Sequence, residues 1–194
     1  MLKRGSVPDG IPVGIRKMEG RTMDNKVFRD NFLQSKIDEY KYGVISADEF
    51  CKAMEDLGKY LPSIGGKSAE RAVRMIPEIC RSYTEAGESD QGRDLKFWIG
   101  LKDCEQLIRG NRTFTEEREE FYRTGKGRYE PVEYTDRYLS IEPEMERLIR
   151  EETGEGGWTG FCHTYWAVKK KVLKEHFGID WKSIDDRFPG LLID

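Results

Sequence analysis

Apolar residues recur at three- and four-residue intervals along most of this chain, the spacing of helices that bury one face. From Met23, a stripe of Val27, Phe28, Phe32, Ile37 and Tyr40 predicts a first helix, stopped by Gly43. Ser46 and Glu49 then form an S-x-x-E pair, in which each side chain satisfies a free amide at the start of the next helix. Phe50, Met54 and Leu57 carry that second helix, and so short a loop predicts antiparallel packing of the two. Ser68 is placed to cap a third helix bearing Ala72, Val73, Ile76, Ile79, Cys80 and Tyr83, with a kink or split expected at Pro77. Leu95, Trp98, Leu101, Cys104, Leu107 and Ile108 mark a fourth, ending near Gly110.

Beyond Gly110 the pattern loosens. Thr115 is expected to cap a short acidic helix reaching Tyr122, and residues 123–140 read as a loop with one strand. Ile141-Glu142-Pro143 then opens a helix to Thr153, with proline in the first turn, where no amide is needed. Glycines at 154–157 form a joint. The last helix sets Cys162, Tyr165, Trp166, Val172, Leu173 and Phe177 on one face and ends at Gly178. Ile179, Trp181, Phe188, Leu191, Leu192 and Ile193 return the tail to an apolar surface. The fold expected is mainly α, an irregular bundle of five or six helices. A small β element would pair residues 128–139 with the alternating Ile11, Val13 and Ile15. Residues 1–22 read as a flexible arm and 23–194 as a helical domain, with a sub-division near 110–140.

Composition adds a heavily charged surface. Charged residues make up 36% of the 194, against about 25% in an average domain, while 11% aromatic content provides a core. The net charge of -3 excludes a globally polyanion-binding chain, so the distribution matters more. The arm is basic through Lys3, Arg4, Arg16, Lys17 and Arg21; residues 114–156 carry thirteen acids against seven bases, among them Glu116, Glu117 and Glu120. A basic run follows at Lys169, Lys170, Lys171 and Lys174. Cys51, Cys80, Cys104 and Cys162 are scattered without a C-x-x-C pair, and no leader or long apolar run is read. Reduced thiols, a cytoplasmic location and no membrane contact are therefore expected.

Several near-motifs fail on chemistry. A calcium loop starting at Asp38 would place Gly43 and Glu49 correctly, but Tyr40 and Tyr42 stand where oxygen donors are required. Gly66-Lys67-Ser68 lacks the glycine of a phosphate loop, which would fall at Leu61. His163 and His176 diverge around their helix and Cys162 is adjacent to His163, so no zinc set forms and no cofactor is implied. Two chemistries stay open. His163 with Glu175 and Asp180 would serve a small nuclease, metal-dependent or His-dependent. Lys169, Lys170, Lys171 and Lys174, opposite an aromatic face, would track a phosphate backbone as part of a nucleic-acid-binding accessory protein.

The C-terminal run GFCHTYWAVKKKVLKEHFGIDWKS resembles the tails of small uncharacterised proteins carried by mobile elements and prophages of gram-positive gut bacteria. The resemblance rests on Gly160, Cys162, His163, Trp166, Lys169, Lys170, Leu173 and Lys174, then Gly178-Ile179-Asp180-Trp181-Lys182-Ser183, Pro189 and Asp194. It covers about the last 35 residues and implies a setting, not a chemistry. By analogy with anti-CRISPR inhibitors, it implies an interaction protein that blocks a host nucleic-acid-targeting defence complex. On that reading the partner is a host protein or ribonucleoprotein, catalysis is not expected, and the surfaces engaged are the lysine run together with Glu116, Glu117 and Glu120.

Overall fold

The computed structural model describes residues 25–58, 67–154 and 160–189. Helix α1 spans Asn25–Lys41, α2 Ala47–Gly58, α3 Lys67–Ala86 and α4 Arg93–Ile108. Then come α5 at Phe114–Thr124, a 3-10 turn at Pro131–Tyr134, α6 at Asp136–Thr153, α7 at Phe161–Phe177 and the single turn α8 at Ile184–Arg187. The architecture is a mainly α, irregular bundle. Among the described residues there is no strand, and no helix is long and apolar enough to cross a membrane. The basic arm, the Ser68 side chain and the last apolar residues, Leu191 to Ile193, lie outside the described residues.

Among the described residues, two apolar clusters fill the interior. The first joins Leu33 and Ile37 of α1, Phe50 of α2, Ile76 of α3 and Phe97 and Leu101 of α4. The second joins Phe114, Tyr134, Tyr138, Met145, Leu173 and Trp181, from α5 through the tail. Helix α4 serves both, because Trp98 and Leu101 face the first while Leu95 and Ile99 pack on the second. It lies closest to α3: a Cβ on Gly100 would come within 2.9 Å of Ile79 Cγ1, so glycine is what lets these helices approach.

The Ser46–Glu49 box forms as its spacing predicts. Ser46 N–H donates to Glu49 at 2.8 Å, and Glu49 N–H donates back to the Ser46 hydroxyl at 3.2 Å. Helix α3 runs through Pro77 without splitting. Three expectations are corrected. Thr113, not Thr115, caps α5, accepting from Glu116 N–H; the Thr115 hydroxyl donates instead to the buried Asp103 at 2.7 Å. Residues 128–139 form no strand. Tyr134 is fully buried, stacked 4.4 Å from Phe121, and receives Tyr129 N–H on its hydroxyl, which coils the segment around one ring. Helix α6 starts at Asp136 under a Thr135 cap, so Pro143 lies inside it. An interior proline costs about 3 kcal/mol. Burying Tyr138 and Leu139 in the added first turn offsets that, at roughly 1.5–3 kcal/mol for each large side chain.

Candidate functional site

The C-terminal surface is built by one helix ending. Gly178 adopts a left-handed φ of 62°, and its N–H and that of Ile179 donate to Lys174 and Leu173 carbonyls, which turns the chain back along α7. Ile179 and Trp181 are thereby buried against α7. Ser183 and Asp186 then close a capping box on α8. Between α7 and this returning segment lies a groove of about 600 Å³, lined by Lys170, Lys174, Lys182, Asp180, Asp186 and the Ile179–Trp181 floor. Lys170 pairs with Asp186 and Lys174 with Asp180, each at 2.5 Å, while Lys182 has no ion pair among the described residues. Ile184 and Phe188, at the start of α8 and just after its end, are exposed and one helical turn apart.

Lysine hydrogen-bonding at this groove sets one titration apart. The Lys170 ammonium, followed by the N–H and hydroxyl of Ser183, holds the Asp186 carboxyl at about 2. The folded value lies below the roughly 3.9 of an unfolded aspartate. Its stabilising contribution is therefore complete above that value and lost as pH falls toward 2. Following the Asp186 carboxyl carbon by NMR should give a midpoint near 2, and Lys170→Ala should move it upward. A midpoint at the ordinary aspartate value would show that these contacts do not form in solution.

Lys169 is not part of that basic face. It is 7% exposed, donates to Glu133 at 3.0 Å and sits 4.5 Å from the Trp181 ring centroid, beside Tyr138 and Tyr165. Trp181 Nε1 donates to the same Glu133 oxygen at 2.5 Å. The sequence held the signal: Lys169 lies three or four residues from Tyr165, Trp166, Val172 and Leu173, squarely on the apolar stripe. Lys171 pairs with Glu152 at 2.8 Å. On α5, Glu116 pairs with Arg71, Glu117 with Arg128, and Glu120 with Arg112 and Arg123. Thr113 N–H and then Arg71 keep the Glu116 carboxyl below its ordinary value, as Arg112 does for Glu120.

The nuclease set does not assemble. His163 and Glu175 are on one helix, twelve residues and so about 18 Å apart along its axis, and Asp180 is held by Lys174. His163 instead meets Asp185, Nδ1 to Oδ2 at 3.2 Å, with its ring edge-on to Trp166. Cys162 is half-buried next to it. Among the described residues, no three of His, Cys, Asp and Glu are placed to hold a metal ion.

A second charged constellation, absent from the sequence reading, is buried where the two apolar clusters meet. Glu142 of α6 accepts from Trp98 Nε1 at 2.8 Å and from the Lys102 ammonium at 2.6 and 2.7 Å. One turn on, Glu146 accepts from the Tyr165 hydroxyl at 2.6 Å and pairs with Lys41 at 3.6 Å. Burial pushes the Glu142 carboxyl upward, but Lys102 and Lys41 outweigh it and leave it below its ordinary value. Burial likewise pulls Lys41 down, and Glu146, Glu142 and Glu105 more than reverse it. The Tyr138 hydroxyl is buried here without a hydrogen-bond partner among the described residues.

No family model, no curated protein and no solved structure matches the chain.

Proposed function

We propose that this chain acts by stoichiometric binding, as a mobile-element protein that blocks a nucleic-acid-targeting defence complex inside its host. The observation that carries this reading is the groove between α7 and the tail, with Lys170, Lys174 and Lys182 above an Ile179–Trp181 floor, on a segment that also exposes Ile184 and Phe188. Exposed ion pairs contribute about 0–1 kcal/mol, so Lys170 and Lys174 can exchange their aspartates for a partner's acidic groups at little cost. Fixed lysines speed encounter and set register, and an exposed aromatic such as Phe188 supplies the apolar burial that dominates affinity. The tail resemblance supplies the biological setting.

The test is reconstitution with a guide-RNA effector from a gram-positive host. Co-elution at fixed stoichiometry is expected, and Lys170→Glu with Lys174→Glu should slow association about tenfold at low salt, the difference shrinking as salt screens it. His163→Ala should leave inhibition intact. Sub-stoichiometric cleavage of RNA or DNA that His163→Ala abolishes would replace this reading with the nuclease, since Asp185 holds the ring with Nε2 directed away. Salt-dependent binding to bare nucleic acid with no affinity for the effector would replace it with the accessory protein.

A further inference from the structure

Between the end of α1, the last turns of α6 and the start of α7 lies a cavity of about 320 Å³, whose described lining shares no residue with the C-terminal groove. Spacing builds its walls. Glu146, Ile149 and Arg150 stand three and four residues apart on one face of α6. Phe161 and Tyr165 stand four apart on α7, with ring centroids 6.3 Å from each other. Tyr42, the residue after α1, closes the third side and carries the Arg150 guanidinium 4.3 Å from its ring centroid. One polar atom in this lining is unused. Glu146 is 5% exposed, and its Oε1 takes the Tyr165 hydroxyl at 2.6 Å and lies 3.6 Å from the Lys41 ammonium. Its Oε2 accepts no hydrogen bond among the described residues. Burial, then the Glu146 charge, holds the Tyr165 phenol well above its ordinary value, so it stays a donor and Oε1 stays occupied.

A buried carboxylate oxygen calls for a donor. A cation is not the donor this one needs, because Lys41 already supplies the counter-charge and Arg150 adds a second positive group at the wall. Elsewhere the molecule answers the same arrangement with a ring N–H. Glu142, paired with Lys102, accepts from Trp98 Nε1 at 2.8 Å, and Glu133, paired with Lys169, accepts from Trp181 Nε1 at 2.5 Å. We infer that the cavity binds a free, neutral aromatic heterocycle of the indole class, with its N–H on Glu146 Oε2 and its ring against Tyr42, Ile149 and Phe161. Small-ligand sites run from about 300 to 1,000 Å³. At 320 Å³ this one takes a single fused bicycle rather than a larger cofactor. The site is independent of the partner that the C-terminal groove takes.

The experiment titrates the full-length chain with indole and with 1-methylindole, which lacks the N–H, and follows both by NMR. Indole should bind saturably, with nuclear Overhauser contacts to the Ile149 methyls and to the Tyr42 and Phe161 rings. 1-Methylindole should bind at least about tenfold more weakly, the worth of a hydrogen bond to a charged acceptor. Tryptamine, which adds an ammonium near Lys41 and Arg150, should also bind more weakly than indole. In Glu146→Gln the amide oxygen stays with the Tyr165 hydroxyl and turns an N–H toward the cavity. Indole affinity should then fall to that of 1-methylindole, with 1-methylindole itself unchanged. Equal affinity of the two heterocycles for the wild type, no saturation by indole, or tighter binding of tryptamine overturns the inference. Contacts at the C-terminal groove in place of this cavity overturn it too. The wild-type comparison decides the matter even if Glu146→Gln fails to fold.

Discussion

Glu142→Ala is expected to destabilise the chain by about 3–5 kcal/mol, because it strips the counter-charge from Lys102 and Lys41 and the acceptor from Trp98 while all remain buried or half-buried. For a chain of this size, each kcal/mol lowers Tm by about 2–4 °C, so the midpoint should fall by roughly 10 °C. Glu144→Ala, two residues away in an exposed pair with Arg147, should change stability by no more than about 1 kcal/mol. Acid should reveal the same group. Its folded pKa lies below the unfolded one, so its contribution is complete above roughly pH 4.3 and vanishes as pH falls through the lower folded value. Glu142→Gln should therefore flatten the stability-against-pH curve below that point. Equal melting of the Glu142→Ala and Glu144→Ala chains would mean that the buried junction is not formed.

Lys169→Ala should cost roughly 3 kcal/mol, by leaving Glu133 without its ammonium and Trp181 without the cation on its face. The damage should be local first. Limited proteolysis is expected to cut after Gly178, where the tail is held down by Trp181 and Ile179, well before the rest of the chain is attacked. Lys170→Ala, whose partner is exposed, should melt within about 1 kcal/mol of the native chain. The contrast separates a structural lysine from a binding one. If Lys169→Ala keeps its tail protected yet binds partners as poorly as the Lys170/Lys174 double variant, Lys169 belongs to the surface after all.

What could be read from the sequence was set by local chemistry. The Ser46–Glu49 box, the stop at Gly43 and the turn at Gly178 depend on a few adjacent residues, and each forms as its spacing dictates. The helical stripes carried the mainly α fold for the same reason. The α6 start was hidden because Pro143 gives a strong first-turn signal, while the Thr135 cap is weak and gains its force from burying Tyr138 and Leu139. The charged residues misled most. Summed along the chain, Lys169 and Glu142 merge into a basic run and an acidic block. Projected around their helices, each shares the stripe of its apolar neighbours, and only tertiary packing places Glu133 by one and Lys102 by the other. In the candidate groove, Lys170 and Lys174 were foreseen, whereas Lys182 and the Trp181 floor required the turn at Gly178 to bring them there.

Helix α4 has a wider consequence. It forms a wall of both apolar clusters and supplies Trp98 and Lys102 to the ionic junction, so a cut just after it separates groups that are buried together. A fragment ending at Gly110 would bare Leu95 and Ile99 to water and strand a lysine that has lost its carboxylate; the complementary fragment would lack the two α4 side chains that pack on the second cluster. Dissecting this protein at Gly110 would therefore yield aggregation-prone halves.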